Sequence, residues 1–189
     1  MLVDDAQREM RTVYKGGYIG QAVSGAVWLV SAALGAWVDT RYGLISLFVG
    51  GFFIFPLTQL ALKLAGLPAS LSSGNPLQSL AKQVAFIVPL CLPVIAAATL
   101  YNVNWFYPAF AVVVGAHYLP FVFLYGIWQY AVLAAVLIAS GVGIAMYLPE
   151  TFTLGGWFTG AILVAYALVM WWSARRAAVT AQETRPGRV

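Results

Sequence analysis

The chain has 189 residues, of which 62% are hydrophobic and only 8% charged, and its formal net charge is +4. Soluble domains carry about a quarter charged residues, so this composition excludes an ordinary water-soluble surface. The basic residues flank apolar runs instead of forming a patch, which argues for membrane orientation and against nucleic acid as a partner.

Leu2, Val3, Ala6, Met10, Val13 and Tyr14 recur at three- and four-residue spacing, and Asp4 or Asp5 can cap the start. Residues 1–15 therefore read as a short amphipathic helix on a membrane surface; a frayed tail is the alternative. The segment is partly acidic where a cleavable signal would be basic, so the first span reads as a retained anchor. Positions 16–38, 42–62 and 151–174 carry no charge, and neither do positions 83–149. A ~30 Å hydrocarbon core needs about 20 helical residues. The first three runs each hold one span and the long one holds three. The fold class is thus all-α, an integral membrane bundle of six transmembrane helices occupying 16–174.

In chain order, the spacing predicts helices over about 17–38 and 43–65, joined by the turn "DTRY". After Gly66 and Pro68 comes the one long connection. Within it "NPLQ" reads as a helix start, with Asn75 as cap, Pro76 in the first turn and Gln78 closing a capping box. The third span runs from there to about 100. "YNVN" separates it from a fourth over 105–124, and "LYG" separates that from a fifth over 127–148, although Pro120 could end the fourth early. "PET" at 149–151 leads into a sixth over 152–173. A polar, basic tail occupies 175–189 and reads as disordered.

Six spans place Arg8, Arg11, Lys15, Lys63, Lys82, Arg175, Arg176, Arg185 and Arg188 on one side and Arg41 alone on the other. Both termini are therefore expected in the cytoplasm. Aromatics mark the interfaces, with Trp37, Tyr42, Tyr101, Trp105, Tyr107, Tyr147 and Trp157 in an outer belt. Tyr14, Tyr18, Tyr125, Trp128, Trp171 and Trp172 form an inner one, while Trp28, Tyr118 and Tyr166 lie deeper. No inverted repeat is evident.

Small residues four apart predict close helix packing: Gly16, Gly20 and Ser24 in the first span; Ala135, Ala139 and Gly143 in the fifth; Gly156 and Gly160 in the sixth. Packing within the chain and homo-oligomerisation both fit this pattern. Pro89 and Pro93, with Pro120, predict helix kinks. Their freed carbonyls near mid-bilayer suit either a cavity wall or a permanently bent packing helix.

Chemistry-bearing residues are few. His117 is the sole histidine, deep in the fourth span, and Gln21, Gln59 and Gln129 fall in the same half of the bilayer. Unpaired polar groups are costly there and turn to the bundle interior. A neutral imidazole offers one donor and one acceptor, which an amide can match, so His117 is expected to bond Gln21 or Gln59. With Tyr118 these residues form a candidate polar pocket, either a static hydrogen-bonded lock or a ligand or proton site. Cys91 is the one cysteine, and one histidine with one thiol suggests no metal site and no cofactor. No carboxylate pair, nucleophile motif or phosphate-cradling loop is present, so an intramembrane enzyme ranks last.

The stretches "GGYIGQAVSGAVWLVSAAL" and "GAHYLPFVFLYG" resemble segments of a bacterial family of small multi-pass membrane proteins of unknown function. The resemblance implies a helical bundle in a bacterial cytoplasmic membrane and carries over no active site. Two functions remain: small-molecule or proton-coupled transport or binding through the polar pocket, its ligand unknown, and a non-catalytic assembly or accessory role. The lipid bilayer is the expected partner in both.

Overall fold

The computed structural model describes residues 1–67 and 70–183, with side chains through Arg176. Pro68, Ala69 and positions 184–189, the end of the expected tail, lie outside the described residues. The elements are α1 (Val3–Val13), α2 (Tyr18–Trp37), α3 (Thr40–Leu64), α4 (Leu77–Ala85), α5 (Ile87–Tyr101), α6 (Phe106–Tyr125), α7 (Gln129–Tyr147) and α8 (Leu154–Glu183). Among the described residues there is no strand. With α4 and α5 taken as one unit, six helices among the described residues are long and apolar enough to cross a membrane. This architecture fits a multi-pass membrane protein.

The helices begin and end for local reasons. Asp39 caps α3, its Oδ1 accepting from the Arg41 N–H at 2.8 Å. Asn75 Oδ1 accepts from the Leu77 N–H at 2.9 Å, but Pro76 and not Asn75 stands at the cap position of α4, and the Gln78 side chain makes no reciprocal bond. Gly126 closes α6 in the left-handed conformation, φ 61°. Pro120 does not end α6 early: the helix continues through it to Tyr125. The third span is not one continuous helix. Pro89 has no N–H to give to Ala85, and the ladder is interrupted at Phe86. Pro89 therefore occupies the first turn of α5, where its missing donor costs least, and only Pro93 lies within that helix. The helix that carries the sixth apolar stretch, Leu154–Arg176, continues beyond it to Glu183. Its Arg175 and Arg176 lie over the rings of Trp171 and Trp172, one turn back on the same helix face.

α6 is the axis of the bundle. Of its most apolar stretch 44% is buried, against 6% for α3 and 11% for the α4–α5 unit. α6 packs chiefly on α7, and α2 lies between α3 and α8. α3 leans on α2 and presents Phe48, Phe52, Phe53 and Phe55 outward. Such a face would be costly in water, at about 25 cal/mol per Å² of apolar surface, and costs nothing in hydrocarbon.

Close packing uses glycines other than those expected in α2 and α7. A Cβ on Gly25 would lie 3.0 Å from the Gly160 carbonyl oxygen and 3.1 Å from the Val164 nitrogen, so α2 and α8 meet backbone to backbone. Gly156 and Gly160 share this interface, facing Ala32 and Leu29. Gly20 is not part of it: its nearest neighbour is Thr58 of α3, at 3.8 Å. Gly16 precedes the helix altogether. In α7 the Ala135–Ala139–Gly143 stripe faces outward, and Gly141 makes the close approach, to the Pro108 carbonyl.

Two tyrosines expected in belts are buried instead. Tyr107 is fully enclosed where α2, α3 and α6 meet. There the Ser31 hydroxyl donates to the Gly43 carbonyl at 2.7 Å and lies 2.7 Å from the Tyr107 hydroxyl. Tyr125 belongs to the cluster described next.

Candidate functional site

Three α6 residues at positions i, i+3 and i+7, Tyr118, Phe121 and Tyr125, project onto one helix face. Tyr130 of α7 packs against all three, with ring centroids 5.3–5.9 Å apart. Tyr166 of α8 closes the cluster 5.4 Å from Tyr130. Gln21 and Ser24 bring α2 to the same place, Ser24 beside the Tyr118 hydroxyl.

The polar centre is the Tyr130 hydroxyl. It donates to the Gly16 carbonyl at 2.7 Å and accepts from Gln21 Nε2 at 2.9 Å. This requires the turn between α1 and α2 to run through left-handed backbone: Lys15, Gly16 and Gly17 have φ of 52°, 61° and 85°. A Cβ on Gly17 would collide with the Tyr130 hydroxyl, so glycine is needed there for space as well as for φ. Gly16 thus serves as hydrogen-bond acceptor and turn residue, not as a helix-packing residue. Three polar atoms of the neighbourhood have no partner among the described residues: Gln21 Oε1, Tyr166 Oη and His117 Nδ1.

Of the residues expected to form a polar pocket, Gln21 and Tyr118 are in this cluster. His117 is at its border and bonds neither Gln21 nor Gln59. One residue along a helix is a turn of 100°, so with Tyr118 facing inward His117 points aside, toward α4. Its ring lies against Phe121, centroids 5.1 Å apart, and faces the carbonyl of Val84. That carbonyl stands next to the interruption at Phe86, so the proline-broken helix offers the histidine a backbone group where a glutamine was expected. Gln59 on α3 and Gln129 at the start of α7 are half-buried, and among the described residues no hydrogen bond joins them to the cluster. Sequence reasoning passed over Tyr130 and placed Tyr125 at an interface. The signal that could have found them was the aromatic i, i+3, i+7 spacing on α6.

α1 covers this end. Gln7 Nε2 donates to the Phe123 carbonyl and Arg11 Nη1 to the Tyr125 carbonyl, two of the acceptors that the last turn of any helix leaves open. Ala6, Met10 and Val13 are buried beneath it. On its other flank the Glu9 carboxylate accepts from the Ser72 N–H at 2.6 Å, the Ser72 hydroxyl at 3.0 Å and Asn75 Nδ2 at 2.9 Å. These bonds, the Ser72 N–H first, hold the Glu9 pKa below its ordinary 4.5. A lowered carboxylate pKa stabilises the folded form above the ordinary value, and the gain is lost as pH falls through the folded one. Hydrogen exchange at Ser72–Asn75, corrected for its intrinsic rate, should therefore be slow at neutral pH and accelerate below about 4.5. Glu9→Gln should flatten that dependence; an unchanged profile would remove Glu9 from the latch.

Two further cavities are apolar. One lies between α6 and α7, bordered by Pro108, Val112 and Met146; the other lies between α3 and α5. His117 lines neither. No curated protein and no solved structure matches the chain. A family model described as a family of unknown function (DUF7010) matches residues 3–175, from the start of α1 through all six apolar helices, and the chain belongs to that family.

Proposed function

We propose that this is a non-catalytic membrane accessory protein whose buried tyrosine cluster fixes the helix arrangement. The observation that carries this reading is the closed pairing of the Tyr130 hydroxyl, satisfied on both sides by Gly16 and Gln21 of the same chain. A transport site needs polar groups that turn toward a passage, whereas these turn toward one another. The charge asymmetry supports cytoplasmic termini, and the resemblance noted above supports a bacterial cytoplasmic membrane. In a Cys91→Ala background, a cysteine at Ser73 should be labelled from the cytoplasm and one at Thr151 from outside. Labelling of both from one side would overturn the orientation.

A second reading, proton-coupled transport or small-molecule binding, is favoured by the three unpaired atoms, Gln21 Oε1, Tyr166 Oη and His117 Nδ1. These could hold a small polar ligand or pass a proton. His117→Gln separates the two readings, because an amide donates and accepts but does not titrate near neutrality. Under the accessory reading the variant keeps its thermal stability and complements a deletion strain as wild type does. Folded protein that fails to complement, with a lost pH dependence, would favour the second reading.

A further inference from the structure

The groove between α3 and α5 is floored by Phe106 and Phe110 of α6, walled by Ile45 and Phe48 on one side and by Ala96 and Leu100 on the other, and has a volume of about 380 Å³. It opens sideways, and its walls stay exposed: Ile45 by 58%, Leu100 by 88%. α3 rests on α2 and α5 on α6, so the space between them is left unfilled. From Leu92 to Leu100 the α5 wall is about 12 Å long at 1.5 Å per residue, close to the ~15 Å of one bilayer leaflet. A single hydrocarbon chain can lie along an apolar wall of this length.

The mouth of the groove carries the matching charge. Arg41 lies four and seven residues before Ile45 and Phe48, on the same face of α3. It is exposed, and its guanidinium has no partner among the described residues, since Asp39 bonds its backbone N–H and not its side chain. At this end of the bundle the other described charges are the carboxylates Asp39 and Glu150. An unpaired guanidinium above an apolar slot one leaflet long suits a phosphate ester bearing an acyl chain. We propose that the α3–α5 groove holds one acyl chain of a membrane phospholipid whose phosphate is bound by Arg41.

Native mass spectrometry of the full chain in detergent tests this, with phosphatidylglycerol and a diacylglycerol of the same chains as probes. Wild type should carry one phosphatidylglycerol. Ala96→Trp, which fills the groove from an exposed position, should abolish that adduct. Val94→Trp, on an exposed part of α5 outside the groove, should leave it intact. Arg41→Gln should weaken phosphatidylglycerol binding by roughly tenfold or more, the scale of one hydrogen bond to a charged group, and leave diacylglycerol binding unchanged. Equal adducts in Ala96→Trp and Val94→Trp would overturn the proposal. So would equal phosphatidylglycerol binding with and without Arg41, or a dimer that Ala96→Trp dissolves in place of a lipid adduct.

Discussion

Gly25→Leu is expected to be the most damaging single substitution in the bundle. Its new side chain would enter a space whose walls are backbone, the Gly160 carbonyl and the Val164 nitrogen, both about 3 Å from the added Cβ. Backbone cannot rotate away as a side-chain tip can, so α2 and α8 must separate. Overpacking a core costs about 1–3 kcal/mol, and more where nothing yields. For a chain of this length roughly 3 kcal/mol is ~10 °C in Tm, readable by thermal unfolding in detergent. Gly20→Leu is the control, since its nearest neighbour is in ordinary contact at 3.8 Å, and it should change Tm by only a degree or two. A Gly20→Leu loss as large as that of Gly25→Leu would mean that α2 packs on a different face.

Tyr130→Phe is the second large effect. Removing the hydroxyl leaves the Gly16 carbonyl and the Gln21 amide unpaired in a buried site. Hydrogen bonds inside membrane proteins average about 0.6 kcal/mol and reach about 1.7, so losing two at once should cost roughly 1–3 kcal/mol. Tyr166→Phe removes a buried hydroxyl that already lacks a partner, and should be neutral or slightly stabilising. The comparison is informative because both substitutions delete the same atom from the same aromatic cluster. Equal losses in the two variants would show that ring packing, not hydrogen bonding, sets the stability there.

The six apolar helices were legible in the sequence because charge is expensive in hydrocarbon, so uncharged runs mark segments long enough to cross a membrane. The start of α4 was legible to within a residue, where Asn75 bonds the Leu77 N–H. What could not be read was rotation about each helix axis. α6 is apolar on every side, so no amphipathic stripe says whether His117 or Tyr118 faces the core; packing against α7 decides it. The same blindness placed Tyr107 and Tyr125 at interfaces by depth alone, and chose Gly20 over Gly25 by spacing alone. The surroundings of His117 were hidden for a different reason: its ring faces the Val84 backbone carbonyl beside the helix interruption at Phe86, and a search among side chains passes over backbone groups.

The covering helix α1 also sets an order in time. Gln7 and Arg11 wait for carbonyls at positions 123 and 125, and Tyr130 reaches back to Gly16. Synthesis at about 5–20 residues per second puts those partners on the order of ten seconds behind α1. During that interval α1 can reach its Ser72–Asn75 partners but not α6 or α7, so the face with Ala6, Met10 and Val13 still lacks part of its cover. The left-handed turn at Lys15–Gly17 keeps α1 from running on into α2 as one long helix meanwhile. α1 thus precedes α6 and α7 in the chain, yet its contacts to Phe123 and Tyr125 can form only after them.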